Sequence, residues 1–388
     1  MHVVAYFVLY RKYRPQQFAQ MVGQEHVVRT LQGALKAEMP PHAYIFTGPR
    51  GTGKTTLARI FAKALNCREQ KTNGEKLKAG YGVEPCNACQ SCTEITEGRS
   101  LDLMEIDAAS NRGIDDIREL RDGIKFAPMG GGYKVYIVDE FHMLTREAFN
   151  ALLKTLEEPP AHAVFILATT EIAKVPDTIL SRALRFDFRL LTEQEITGEL
   201  ERICALEGMS VQKEAMFEIA RAALGSLRDA ETLLEQLRLL GKKHVSYGDA
   251  KDVLGFVDFH ISVELTGLML DGKTADALAY FGNAYERGED IEALLRLVAE
   301  WTRKMLLVRI DASLMSLAAS DLSPDHKELL KTHAAKASAQ VFAKLQALYM
   351  EKELELKRTS FPRLAFELAI VEAGELISAH RSAANEKP

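Results

Sequence analysis

Gly48-Pro49-Arg50-Gly51-Thr52-Gly53-Lys54-Thr55 decides the fold of this 388-residue chain. It satisfies G-x-x-x-x-G-K-[ST] at every fixed position. The apolar run Ala43-Tyr44-Ile45-Phe46-Thr47 before it reads as a short buried strand, and 54–66 after it reads as a helix. The glycines let the backbone curl so that its N–H groups face phosphate oxygens, and the helix adds the positive end of its dipole. In that setting Lys54 neutralises the β- and γ-phosphates and the Thr55 hydroxyl ligates Mg²⁺. Gly48, Pro49, Arg50, Gly51, Thr52, Gly53, Lys54, Thr55 and Thr56 therefore form the candidate nucleotide cradle. The bland alternative is a Gly-rich turn that matches by chance, and the correct flanks weigh against it.

Further strands are expected at 101–107, 134–139 and 164–168, with helical patterns at 113–125 and 145–157. Alternating strands and helices predict an α/β domain. The continuous apolar character of the strands predicts a parallel sheet covered on both faces. In such a sheet the carboxyl ends of the strands line one ligand-binding rim. Val135-Tyr136-Ile137-Val138 ends there in Asp139-Glu140. Asp139 is the candidate for the Mg²⁺ shell and Glu140 for activating the attacking water. The plainer reading is a strand end that caps the next helix. Thr169-Thr170 end the following strand, and Thr170 is a weaker candidate for holding that water.

Strand signals stop after about residue 190. Thr192 with Glu195 forms a capping box, and a helix from Arg228 puts Ala230, Leu233, Leu234, Leu237 and Leu240 on one face before Gly241. From Gly255 to about Ala379 the chain reads as helices, with breaks near Asp271-Gly272, Gly288, Ser323-Pro324 and Ser360-Phe361-Pro362. The plan is an α/β domain over 1–190, a small helical domain over 191–254, a larger all-α domain over 256–379 and a frayed tail over 380–388.

Four of the five cysteines, Cys67, Cys86, Cys89 and Cys92, are spaced C-x18-C-x2-C-x2-C. Thiolates so spaced converge on one tetrahedral Zn²⁺. An iron–sulfur cluster uses similar spacings, and unligated thiols are the third reading. The Lys- and Gly-rich segment between Cys67 and Cys86 has no apolar periodicity, which suits a structural metal staple. Cys204 reads as a small buried hydrophobe.

Apolar residues make up 47% of the chain, and charged residues 27% with a net charge of -5, so no global basic field exists. Nucleic-acid contact must then come from a local patch or from groups converging in an assembly. No run of about 18 apolar residues predicts a membrane span. The apolar start, Met1 to Leu9, lacks a preceding basic region and a cleavage site, so no signal peptide and a cytoplasmic location are expected. Arg182 and Arg228 stand at the edges of helical segments. The first suits an arginine finger supplied to a neighbouring subunit, the second a group folding over the γ-phosphate. Surface salt-bridge residues are the plain alternative for both.

Taken together, these motifs identify a family. Tyr10-Arg11-Lys12-Tyr13-Arg14-Pro15 through Val22-Gly23-Gln24-Glu25-His26, the P-loop, the cysteine insertion and Ile106-Asp107-Ala108-Ala109-Ser110-Asn111-Arg112-Gly113 carry the resemblance. So do Val138-Asp139-Glu140-Phe141-His142-Met143-Leu144, 152–160, and Gly225-Ser226-Leu227-Arg228-Asp229-Ala230. The chain resembles the tau/gamma family of bacterial DNA polymerase III, the AAA+ ATPases of the sliding-clamp loader. The resemblance implies ATP, Mg²⁺ and a structural Zn²⁺ as cofactors. As partners it implies delta, delta-prime and further copies of the chain, with a sliding clamp and primer-template DNA. By the same resemblance Thr170 looks like sensor 1, Arg182 like the trans-acting finger and Arg228 like sensor 2. Arg14, Pro15 and Val22 look like the adenine side of the pocket. Residues 191–254 become a lid and 256–379 a collar that holds a pentameric ring.

Departures are Ala183 after Ser181-Arg182, where the family motif has Cys, and Phe141 where Val is usual. The family's longer product continues into regions that bind helicase and polymerase, activities expected to be missing from a chain ending near residue 388. DNA contact is expected at the helix starts Arg112-Gly113-Ile114 and Thr145-Arg146, which would read phosphates rather than bases. Two competing readings are a non-catalytic assembly subunit, which a degenerate P-loop or a missing Glu140 would mark, and a helicase loader or branch-migration motor, which lacks the cysteine insertion and the long helical domain.

Overall fold

The structure, a computed structural model, describes residues 8–37, 40–68, 83–111, 113, 117, 120, 123–124, 126–130, 132–319 and 322–385, the last helix's side chains as far as Arg381. It divides into two compact units, Met1–Tyr247 and Gly248–Pro388.

The first unit is built on a five-stranded sheet in the order β2-β3-β4-β1-β5. Its strands are β1 Ala43–Thr47, β2 Leu103–Asp107, β3 Lys134–Asp139, β4 Ala163–Thr169 and β5 Leu184–Asp187, all paired in parallel. Every residue of β1 and β4 is buried, because these central strands are covered on both faces. Alternation splits their side chains between two cores. Tyr44, Phe46, Val135, Ile137, Val164 and Ile166 face Leu57, Ile60 and Phe61 of the helix Lys54–Asn66. Ile45, Tyr136, Val138, Phe165 and Leu167 face Phe149, Leu152 and Leu156 of the helix Arg146–Glu157. Each side is knitted by ring contacts, such as Tyr44 edge-on to Phe61 at 5.0 Å and Tyr136 stacked on Phe165 at 5.3 Å.

Helices Glu193–Glu207, Lys213–Ala222 and Leu227–Arg238 follow. The first starts at the Thr192–Glu195 capping box, as the sequence predicts. A two-stranded parallel pair, β6 Ser210–Val211 and β7 His244–Val245, closes this helical part.

The second unit is helical. Its main helices are Phe259–Leu270, Thr274–Glu286, Ile291–Ile310, Pro324–Ala335, Ala339–Leu356 and Pro362–Asn385. Trp301, fully buried, donates its indole N–H to His333 Nδ1 at 3.1 Å, and Phe281 stacks on Phe366 at 4.4 Å.

Several expectations change, among them the absence of strands after about residue 190, which β6 and β7 overturn. The strand β5 was not foreseen: Phe186 is buried but Leu184, Arg185 and Asp187 are exposed, so this edge strand lacks the continuous apolar signal of its neighbours. The other edge, β2, begins at Leu103 rather than 101 and is only partly covered, so the sheet is not buried on both faces throughout. The helix from Arg228 ends at Arg238 with Leu240 exposed beyond it. The last helix continues to Asn385, through most of the stretch read as a frayed tail. The helical pattern at 113–125 lies largely outside the described residues.

Candidate active site

The loop between β1 and the helix Lys54–Asn66 needs backbone that only glycine supplies cheaply. Gly48 has φ +145°, and a Cβ there would meet the Phe188 carbonyl oxygen at 2.3 Å. Gly51 has φ +77°, and a Cβ there would meet Ser226 Oγ at 1.9 Å. The loop is thus pressed from one side by the chain leaving β5 and from the other by Ser226, which caps the helix Leu227–Arg238 through Asp229 N–H at 3.3 Å. Buried Gln24 adds a third hold, donating to the Arg189 carbonyl at 2.8 Å and the Thr52 carbonyl at 3.5 Å.

Lys54 is buried, and its Nζ donates to the carbonyls of Gly48 at 2.7 Å and Pro49 at 2.8 Å. The ammonium is therefore held inside the curl of the loop. Burial lowers its pKa, while Glu140 and Asp139 act in the opposite sense. Thr55 Oγ1 donates to Asp139 Oδ2 at 2.7 Å. The loop hydroxyl and the strand-end carboxylate, far apart in sequence, thereby face one point, the arrangement that shares a hard divalent cation. Glu140, at φ +46°, turns off the strand end. Its Oε2 accepts from the Thr170 hydroxyl at 2.9 Å and the Thr170 N–H at 3.2 Å. The hydroxyl aimed by the strand-end argument at an attacking water here grips the carboxylate expected to activate that water.

Sequence reasoning missed the role of His142. Its side chain is nearly buried, with Nδ1 2.9 Å from Thr169 Oγ1 and 3.3 Å from Glu140 Oε2, and Nε2 3.4 Å from Glu171 Oε1. It ties the ends of β3 and β4 together; its place in Asp139-Glu140-Phe141-His142 was the available signal. Phe141 is fully buried and meets Phe149 edge-on at 6.0 Å.

Arg14 Nε donates to Thr56 Oγ1 at 3.0 Å. Burial, with Arg59 nearby, lowers its pKa to about 10. Pro15 lines one small cleft together with Arg14, Thr56 and Ile60, while Val22 is half-buried at the entrance to the helix Glu25–Lys36. Arg228 is exposed, its guanidinium 4.9 Å from the centre of the Tyr10 ring. Arg182 stands apart from this rim, bonded to the Thr178 carbonyl at 2.6 Å and Glu157 at 2.8 Å. Arg50 is exposed at the loop tip. Of the candidate DNA contacts, Arg112 and Ile114 lie outside the described residues; Arg146 is exposed at the start of its helix, with Thr145 as N-cap.

The helix Lys54–Asn66 ends in Cys67. The sulfurs of Cys67, Cys86, Cys89 and Cys92 lie within 4.8 Å of one another, Cys86 and Cys92 4.0 Å apart. Ligands at about 2.3 Å from a tetrahedral Zn²⁺ stand about 3.8 Å apart, so the four fit that ion. Cys86 Sγ also accepts from the N–H groups of Ala88 at 3.4 Å and Cys89 at 3.2 Å. Burial works against the Cys89 thiolate, but hydrogen bonds from the Cys92 and Arg68 backbone and from the Cys86 and Cys92 side chains bring its pKa down to about 7, whereas burial pushes the neighbouring Cys92 thiol up.

A glycine-rich phosphate-loop turn, a hydrogen-bonded Thr–Asp pair at its mouth, a strand-end glutamate and a helical lid capped against the loop mark a P-loop ATPase of the AAA+ class. Residues 23–192 match the family model for "DNA polymerase III, delta subunit". Residues 195–242 match "DNA polymerase III clamp loader subunit, ATPase lid domain", and 245–383 "DNA polymerase III subunits gamma and tau domain III". DNA polymerase III subunit tau of Bacillus subtilis is 42% identical over 382 residues, covering 98% of this chain and 65% of that protein. Subunit tau of Escherichia coli is 41% identical over 329 residues, covering 85% and 50%. Subunit gamma of Buchnera aphidicola is 39% identical over 290 residues, covering 75% and 78%. The chain belongs to the tau/gamma family of DNA polymerase III clamp-loader subunits, and it spans between half and two thirds of the tau subunits' length. The family implies a nucleotide with Mg²⁺.

Proposed function

We propose that this chain is an ATP-driven motor subunit of a bacterial sliding-clamp loader, which binds and hydrolyses ATP to place the polymerase's processivity clamp on primed DNA. The observation that carries the reading is the 2.7 Å contact between Thr55 and Asp139 at the mouth of a P-loop, with Glu140 next in sequence. Lys54 neutralises the β- and γ-phosphates, Thr55 and Asp139 hold Mg²⁺, and Glu140 orients the water once Thr170 releases it. Gly48 to Thr56 cradle the phosphates, with Arg14, Pro15 and Val22 toward the adenine. Arg228 reaches the γ-phosphate from the lid. Arg182 completes a neighbour's site; its pair with Glu157 is solvent-exposed, so releasing it costs about 1 kcal/mol or less. Zn²⁺, held by the four cysteines, supplies a structural cross-link. Residues 1–190, 191–254 and 256–379 serve as motor, lid and collar. The partners are delta, delta-prime, further copies of the chain, the clamp and primer-template DNA.

The test is steady-state ATP hydrolysis by the chain mixed with delta and delta-prime, with and without clamp and primed DNA. Stimulation that needs both clamp and primer–template junction is expected; hydrolysis indifferent to them overturns the loader reading. Glu140→Gln is expected to bind ATP with parental affinity and to lose turnover by at least about 100-fold, the lower range for a lost general base. Equal rates for variant and parent remove Glu140 from its role.

A further inference from the structure

Lys63 is a buried charge that the nucleotide chemistry does not use. It sits on the P-loop helix, 1% exposed. Its Nζ donates to Gln16 Oε1 at 2.7 Å, Asn87 Oδ1 at 2.6 Å and, more weakly, Thr96 Oγ1 at 3.5 Å. All three acceptors are neutral. Burial lowers the lysine's pKa to about 8, against the pull of the nearby Cys92 and Cys86 thiols. An ammonium taken out of water is costly unless its protons are all used; here each proton goes to a different segment.

Those segments lead in two directions. Asn87 lies inside the cysteine knuckle, between Cys86 and Cys89, at φ +57°. Gln16 follows Arg14-Pro15, and its Nε2 donates to the Arg14 carbonyl at 3.0 Å, while Arg14 Nε donates to Thr56 at the start of the P-loop helix. A continuous chain of hydrogen bonds thus runs from the knuckle through Lys63 to the segment beside the nucleotide cradle. The residues just before the knuckle hold the same segment: Glu84 accepts from the N–H groups of Phe18 at 2.7 Å and Ala19 at 3.0 Å, and the Pro85 carbonyl accepts from Gln17 at 3.4 Å.

We propose that the metal-loaded knuckle is a clasp, closed by Lys63, which holds residues 14–19 against the P-loop helix, so that metal occupancy sets nucleotide affinity. The proposal rests on the reading of the P-loop as the nucleotide site and of the cysteines as a Zn²⁺ site. Four thiolates around one Zn²⁺ leave a net negative charge, which the Lys63 ammonium offsets, and the metal fixes the turn that aims Asn87 Oδ1 at Lys63. Without the metal the turn is free, Lys63 loses its shortest contact, and Gln16 and Arg14 lose their fixed support. The coupling is reciprocal, so bound nucleotide tightens the metal by the same factor.

Asn87→Gly tests the clasp in the full chain. Glycine accepts the positive φ and leaves all four cysteines, removing only the acceptor. Zinc content is measured by release to a chromophoric chelator, and affinity by titration with a fluorescent ATP analogue in excess Mg²⁺. Stripping zinc from the parent with a zinc-selective chelator is expected to weaken nucleotide binding about 5- to 150-fold, the usual span for coupled sites. Asn87→Gly is expected to hold zinc at the parental stoichiometry, to bind nucleotide as weakly as the stripped parent, and to change less than about twofold on stripping. A zinc-loaded Asn87→Gly chain that binds like the parent overturns the clasp alone. A parent that binds no nucleotide, or carries no zinc, overturns the underlying site reading and the clasp with it.

Discussion

Gly51→Ala probes the junction between the phosphate loop and the helical lid. At φ +77° a non-glycine residue costs about 1–2 kcal/mol. The added methyl would also stand 1.9 Å from Ser226 Oγ and 3.0 Å from Ser226 Cβ, so the capping serine must move. That hydroxyl caps the helix Leu227–Arg238, and losing a cap costs about 1 kcal/mol. The sum is about 2–3 kcal/mol in a unit spanning Met1–Tyr247. A change of 1 kcal/mol moves the melting point of a domain this size by about 2–4 °C, so the first unit should melt about 4–12 °C lower. Ser226→Gly removes both clashing atoms and by itself costs only a few tenths of a kcal/mol. The double variant should therefore recover about 1 kcal/mol relative to Gly51→Ala, leaving mainly the backbone strain. Circular-dichroism melts of the parent, both single variants and the double variant give the cycle. A Gly51→Ala melt within 1–2 °C of the parent, on the same scale, or losses that merely add in the double variant, refutes the loop–lid contact.

Two other predictions concern pH. Glu231 is buried in the lid, and burial, with Glu199 nearby, raises its carboxyl pKa from 4.5 to about 8. Its folded pKa exceeds the unfolded one, so its contribution to stability is complete below about pH 4.5 and is lost as pH rises toward 8. Glu231→Gln, neutral throughout, should be more stable than the parent at pH 7 by on the order of 3 kcal/mol, the gap closing toward pH 4.5 in denaturant titrations; a gap independent of pH rules this out. His333 behaves in the opposite sense, since burial brings its pKa down to about 4. Stability from the neutral ring is complete above about pH 6.5 and falls as the pH drops toward 4. His333→Gln, which keeps an acceptor for Trp301, should flatten that fall in the second unit's melting curve, and an unchanged acid limb counts against it.

The sheet was legible where burial dictates the residues. β1, β3 and β4 are continuous apolar runs because helices cover both their faces, and the P-loop gives the rim by spacing alone. β5 was hidden because an edge strand needs only one buried side chain, and β6 and β7 are two residues each. Lys54, Thr55, Asp139 and Glu140 were visible because each belongs to a contiguous motif. Ser226 against Gly51, His142 against Thr169 and Lys63 against Asn87 were not, because these are contacts between distant segments. For Lys63 the one local hint was a lysine among the small and apolar residues of Ile60-Phe61-Ala62-Lys63-Ala64-Leu65. The position of Arg182 was readable, but its pairing with Glu157 arises only when the turn that carries it meets the end of the helix Arg146–Glu157.

The helix Lys54–Asn66 begins at the lysine of the phosphate loop and runs directly into Cys67, the first of the four clustered cysteines. Its 13 residues span about 20 Å, and each residue adds about 1.5 Å of rise and 100° of turn. One residue inserted anywhere between Lys54 and Cys67 would swing the thiol away from its three partners, or the loop away from the sheet. The element therefore works as a fixed-length gauge: an insertion or deletion within it would break the spacing between the phosphate loop at one end and the cysteine cluster at the other.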